Sequence, residues 1–202
     1  ALFIFDKMTP LDAVGPLEVI SRVPGANVKI VGKTAGSVRA GHIGLTADHA
    51  MGDVTSPDIV LIPGAADMSN ITSDAEILDW VRAVDKTTTW TTSVCTGALV
   101  LGAAGLLQGK RATTHWSAIR QLEGYGAIAA DERVVTDGKI MTGAGVSAGI
   151  DMALTLLAEV AGDDHAQFVQ LMTEYDPQPP FNSGSLAKAP DAIRDRALAL
   201  FA

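Results

Sequence analysis

Short runs of consecutive apolar and β-branched residues alternate along this chain with longer segments of helical spacing. Unbroken apolar runs bounded by turn residues mark strands covered on both faces, and helical segments between them mark crossover connections. Ala1 to Phe5, Val28 to Val31 and Asp58 to Ile62 predict strands, the last stopped by Pro63-Gly64. Thr87 to Val94 has the β-branched and aromatic composition of another strand. Helices are predicted over Gly15 to Arg22, Asp74 to Val84, Ala98 to Leu107, Ser147 to Ala161, His165 to Tyr175 and Pro190 to Phe201, with Gly or Pro between them. Asp137-Gly138 between β-rich flanks predicts a hairpin over Arg133 to Thr142. The pattern predicts an α/β domain with a mostly parallel central sheet and helices on both faces. Asp176 to Ser185, rich in proline, reads equally as a binding loop or as a tether for the last helix.

Composition narrows this picture. With 202 residues and 48% hydrophobic content, the chain can bury one large core, so residues 1–202 are expected to form a single domain. A net charge of -8 without a basic stripe argues against nucleic acid and anionic membrane surfaces as partners. No apolar run approaches the roughly 18 residues of a membrane span, and the start of the chain lacks a basic leader pattern. One cysteine cannot form an internal disulfide, which suits a cytoplasmic protein.

That cysteine, Cys95 in Ser93-Val94-Cys95-Thr96-Gly97, falls between an expected strand and an expected helix. In open α/β sheets ligands bind beyond the carboxyl ends of strands, and a helix start offers unpaired N–H groups to an anion. A thiol with pKa about 8.5 is about 3% thiolate at neutral pH, whereas one lowered to about 6 is roughly 90% thiolate. The junction favours such a lowered, reactive thiol over the alternative of a small buried hydrophobe. His42, His49, His115 and His165 show no metal-ligand spacing, so no metal is expected.

The cysteine elbow, the Ile62-Pro63-Gly64 turn and an acidic residue after the first strand together resemble the DJ-1/PfpI superfamily over nearly the whole chain. Leu11 to Val19, Ser93 through Trp116, Gly143 to Asp151 and Glu174 to Asn182 are similar in particular to its isocyanide hydratase branch. The resemblance implies a flavodoxin-like three-layer sandwich with a nucleophile elbow, working as a homodimer with a subunit contact near Glu18. It implies Cys95 as nucleophile, Asp12 as the carboxyl that moves protons, and Thr96 as a group that orients the reactants. Gly64, Ala65, Val146 and, on the proline-rich loop, Asp176 are implied around the substrate, an isocyanide, with no cofactor. Asp12 can equally be read as a helix N-cap, and His115 as a structural or dimer-side residue. Ala65 replaces a family glycine, so either its backbone is ordinary or the pocket differs. Thr96 follows the cysteine where peptidase-like members carry histidine, which removes the protease reading. A ligand-sensing or redox-sensing domain, or a cysteine enzyme acting on small carbonyls, is the alternative.

Overall fold

Eleven short strands and eight helices are built by residues 1–201, the part of the chain that the computed structural model describes. The strands are β1 (Leu2–Phe3), β2 (Ile30–Gly32), β3 (Gly36–Ala40), β4 (Ile43–Ala47), β5 (His49–Ala50), β6 (Ile59–Ile62), β7 (Trp90–Val94), β8 (Arg111–Ala112), β9 (Ile128–Ala129), β10 (Val134–Asp137) and β11 (Ile140–Gly143). The helices are α1 (Pro10–Ile20), α2 (Ser69–Thr72), α3 (Ala75–Asp85), α4 (Ala98–Ala103), α5 (Ile119–Gly124), α6 (Ala148–Ala161), α7 (Asp163–Met172) and α8 (Asp191–Leu198). Seven strands form the main sheet in the order β10-β11-β7-β6-β1-β2-β5, and only β10 runs antiparallel.

Helices cover both faces, which explains why β6 reads as an unbroken apolar run rather than an alternating one, and why the hydroxyls of Thr91 and Thr92 on the equally buried β7 are hydrogen-bonded. Residues of opposite parity on β7 show the two faces. The Thr91 hydroxyl donates to Asp85 at the end of α3 at 2.7 Å. Val94 points the other way, to where α6 approaches α1 at Gly149 and Pro16. On that second face Val19, Ala153, Leu157, Ala166 and Val169 form an apolar cluster between α1, α6 and α7. On the first face the Trp80 ring lies 5.5 Å from Phe3, and its indole N–H donates to the Val54 carbonyl at 2.8 Å. The architecture is a flavodoxin-like α/β sandwich with a mostly parallel sheet.

Among the differences from the sequence expectation, two helix boundaries and one hairpin have a clear local reason. Helix α1 starts at Pro10 rather than Gly15, because Pro10 holds the first-turn position where its missing N–H costs nothing. Helix α4 stops at Ala103, two residues before Gly105 turns the chain at φ 81°. The β3–β4 hairpin lies apart from the main sheet, and its mostly exposed residues leave only a faint apolar pattern.

Candidate active site

Four neighbouring strand ends supply the site. Cys95 follows β7 directly, in the left-handed conformation at φ 58°, a strain of about 1–2 kcal/mol for a residue with a Cβ. Specific partners hold that turn. The Cys95 N–H donates to the Ala144 carbonyl beyond β11 at 2.9 Å. Its own carbonyl accepts the hydroxyl proton of buried Thr114 at 2.8 Å. Gly97 allows the elbow to lie against β6, since a Cβ there would stand 2.1 Å from the Ile62 carbonyl oxygen.

Asp12 reaches the sulfur from the first turn of α1. Thr9, not Asp12, occupies the helix cap position, so the N-cap alternative does not hold. The carboxyl is fully buried. Its Oδ2 accepts the Gly64 N–H at 3.0 Å, and its Oδ1 has no hydrogen-bond partner among the described residues. Gly64 also accepts the Thr9 N–H at 2.8 Å, lacing the β1–α1 loop to the turn after β6. Its lack of a side chain is required by close approach, because a Cβ would meet the Thr96 hydroxyl oxygen at 2.4 Å.

The Thr96 hydroxyl accepts the Ala65 N–H at 2.9 Å and donates to the Ala65 carbonyl at 2.7 Å. It therefore fixes the loop, and Thr96 turns to the sulfur its backbone N–H and, to a lesser degree, its hydroxyl. Ala65 lies outside the left-handed region, so alanine is accepted there without strain. The N–H groups of Gly64 and Ala65, expected around a ligand, are both bonded within the protein.

Burial raises Asp12 to about 7, against the downward pull of the Gly64 N–H and of Cys95. Burial, then the Asp12 charge, pushes the Cys95 thiol up to about 11, against the N–H groups of Val146 and Thr96. The lowered thiol expected from a helix start is thus reversed. Two N–H groups and the Thr96 hydroxyl stabilise a thiolate less than removal from water and a neighbouring carboxylate destabilise it.

Val146 presents its N–H to the sulfur while holding a φ of 23°, unusual for a β-branched residue. His115, half-buried and held neutral by its burial, accepts the Ser117 N–H at Nδ1 and lays its ring edge against Gly145. Asp176 is not brought to the sulfur: it is exposed on the loop, where its carboxylate accepts from Gln178 at 3.2 Å. Thr114 and Arg133, neither singled out by sequence, support the site through long-range bonds. Beside Thr96 a cavity of about 300 Å³ is walled by Met68, Leu99, Tyr125 and Phe201. A larger one, about 560 Å³, lies at the opposite, amino-terminal end of the strands, remote from the thiol. Among the described residues, no group of three or more His, Cys, Asp or Glu is arranged to hold a metal ion, and no helix is long and apolar enough to cross a membrane.

A thiol on a strained strand-to-helix turn at the carboxyl edge of a parallel sheet, faced by a carboxyl from the neighbouring loop, defines a cysteine-centred α/β domain of the nucleophile-elbow kind. The chain belongs to the DJ-1/PfpI family, whose model matches residues 1–159. It is 45% identical to an isonitrile hydratase of Pseudomonas putida, covering 96% of this chain and 86% of that protein. The crystal structure of a THiJ/PfpI family protein from Pseudomonas syringae superposes with a TM-score of 0.96 at 39% identity, covering 98% of this chain and 84% of that one. An HTH-type transcriptional regulator, CdhR of Pseudomonas aeruginosa, is 29% identical over 78% of this chain, which spans 48% of that protein.

Proposed function

We propose that this chain hydrates isocyanides to N-substituted formamides, with Cys95 as nucleophile and Asp12 as the proton carrier. The observation that carries the reading is the buried Asp12–Cys95 pair with Oδ1 of Asp12 unpartnered. It occurs in a chain 45% identical to an isonitrile hydratase. The carboxyl titrates near neutral pH and loses its proton before the thiol does, so the reactive form of the pair is a carboxylate beside a thiol. As the sulfur attacks the divalent carbon of R–N≡C, its proton passes to Oδ1 of Asp12 and on to that carbon, giving the thioimidate R–N=CH–S–Cys95. Asp12, again a carboxylate, then takes a proton from water. The hydroxide adds to the thioimidate carbon and Asp12 passes the proton to nitrogen; Asp12 then carries the hydroxyl proton of this adduct to sulfur as the C–S bond breaks, and R–NH–CHO leaves with the thiol restored.

Each remaining site residue has a part in this reading. The N–H groups of Thr96 and Val146 steady negative charge on sulfur during attack and expulsion, and one such donor is worth about 3 kcal/mol of barrier. Gly64 acts through Asp12, and Ala65 through Thr96. The protein works in the cytoplasm as a homodimer, with the exposed Leu11 and Val14 of α1 and Val160 of α6 in the subunit contact. The test is incubation of purified, chelator-treated protein with cyclohexyl or phenyl isocyanide and detection of the formamide. Cys95→Ala abolishes conversion, and Cys95→Ser nearly does, since a hydroxyl there has no base strong enough to ionise it. A wild type that binds a small molecule reversibly but forms no formamide supports a sensing domain instead, the reading favoured by the likeness to the CdhR regulator.

A further inference from the structure

Arg133 stands just before β10, with half of its side chain exposed and no atom at the sulfur. It nevertheless grips both ends of the turn that faces the thiol. Its backbone carbonyl accepts the Ala144 N–H at 2.9 Å, and Ala144 in turn accepts the Cys95 N–H at 2.9 Å. Its guanidinium donates to the Ser147 hydroxyl at 3.0 Å and to the Asp151 carboxylate on the first turn of α6. Tyr175, which follows α7, donates its phenol proton to the other Asp151 oxygen at 3.0 Å. Between the two grips lies Val146, the strained residue whose N–H meets Cys95.

We propose that Arg133, with Ser147 and Asp151, is a positioning clamp that keeps the strained Val146 N–H aimed at the Cys95 sulfur. A β-branched residue near φ 23° relaxes toward ordinary backbone unless its neighbours over-determine it. Relaxation turns the N–H away from sulfur. The clamp sets that balance from outside the site, because residues 144 and 147 are fixed to one arginine. The Ser147 hydroxyl serves the clamp and not the helix: it stands at the N-cap position of α6 but makes no capping hydrogen bond. Partly exposed ion pairs are individually weak, so the clamp is worth a modest factor in thiol reactivity, not the whole of it. The inference rests on Cys95 being the reactive thiol and not on which substrate it attacks.

The test is the pH dependence of Cys95 alkylation by iodoacetamide in wild type, Ser147→Ala, Arg133→Met and Arg133→Lys. The titratable groups facing the sulfur and the turn, Asp12 on α1 and, against Gly145, His115 after β8, are the same in all four. Ser147→Ala and Arg133→Met should slow alkylation about fivefold at neutral pH by moving the midpoint upward, with the rate at high pH unchanged. Arg133→Lys, which reaches one acceptor but not both, should fall between. In the hydration assay the same variants should lower kcat and leave KM unchanged. If Arg133→Met fails to fold, Ser147→Ala decides alone. A folded Ser147→Ala with a wild-type alkylation profile overturns the clamp, even if its melting temperature drops. A shifted profile in a protein that makes no formamide keeps the clamp and overturns the hydratase reading.

Discussion

The hydroxyl of Thr114 donates to the carbonyl of Cys95 at 2.8 Å, so the strained elbow is propped from a segment nineteen residues further along the chain. The same carbonyl accepts the Ala98 N–H at the start of α4, and the threonine supplies its second partner. Thr114→Val removes that partner and keeps the shape. It should destabilise the protein by about 1–3 kcal/mol, read as a lower denaturation midpoint, while Thr114→Ser restores most of the loss.

Asp12→Asn tests two consequences of one buried carboxyl. Without a proton to shuttle, formamide production should fall about a hundredfold or more in a folded protein. Stability should respond in the opposite direction. A carboxyl raised from 3.8 to about 7 binds its proton more tightly in the folded chain, so its favourable contribution is present below about pH 4 and is lost as pH rises through about 7. Above that window wild type carries the cost of a buried charge, at most about 4 kcal/mol, and Asp12→Asn does not. Melting curves of the two proteins should therefore diverge in favour of Asp12→Asn between about pH 5 and about pH 8. A constant difference across that range would show that Asp12 titrates normally.

Gly97→Ala is expected to be among the most damaging small substitutions. Its methyl would stand 2.1 Å from the Ile62 carbonyl oxygen and 2.9 Å from that of Pro63, both backbone atoms of the strand and turn beside the elbow. A loss of about 3 kcal/mol follows, together with slower alkylation of Cys95 as the elbow is pushed outward. Equilibrium denaturation and thiol labelling measure the two effects separately.

Sedimentation at micromolar concentration should give twice the chain mass, in keeping with the exposed apolar residues of α1 and α6. Val14→Asp, at an exposed position of α1, should return the protein to the mass of one chain. A wild type that sediments as a single chain removes the dimer from the proposal and leaves the chemistry intact.

The strands that converge on the site are legible, Ile59–Ile62 as an apolar run buried on both faces and Trp90–Val94 from its β-branched and aromatic composition, and both lie inside the predicted segments. The elbow at Cys95 is legible from the same logic, as the place where strand composition gives way to helix spacing. The acidity of the thiol is not. A helix start is a local feature, whereas the burial and the Asp12 charge that outweigh it come from packing of distant segments. Thr114 and Arg133 escape sequence reasoning for a related reason. The Thr114 hydroxyl meets Cys95 across nineteen residues, and the Arg133 guanidinium reaches Ser147 and Asp151 beyond the hairpin, contacts that a local pattern does not carry.

The pairing of Gly64 with Asp12 and of Ala65 with Thr96 leaves the turn after β6 with no unclaimed backbone donor at those two positions. A reaction that calls on either of these two amides to hold an alkoxide oxygen would have to break a bond that holds the carboxyl or the elbow in place. A reactant whose new charge collects on carbon or nitrogen makes no such demand. The turn that completes the scaffold thereby keeps its Gly64 and Ala65 amides for the carboxyl and the elbow, and offers no oxyanion cradle at those two positions.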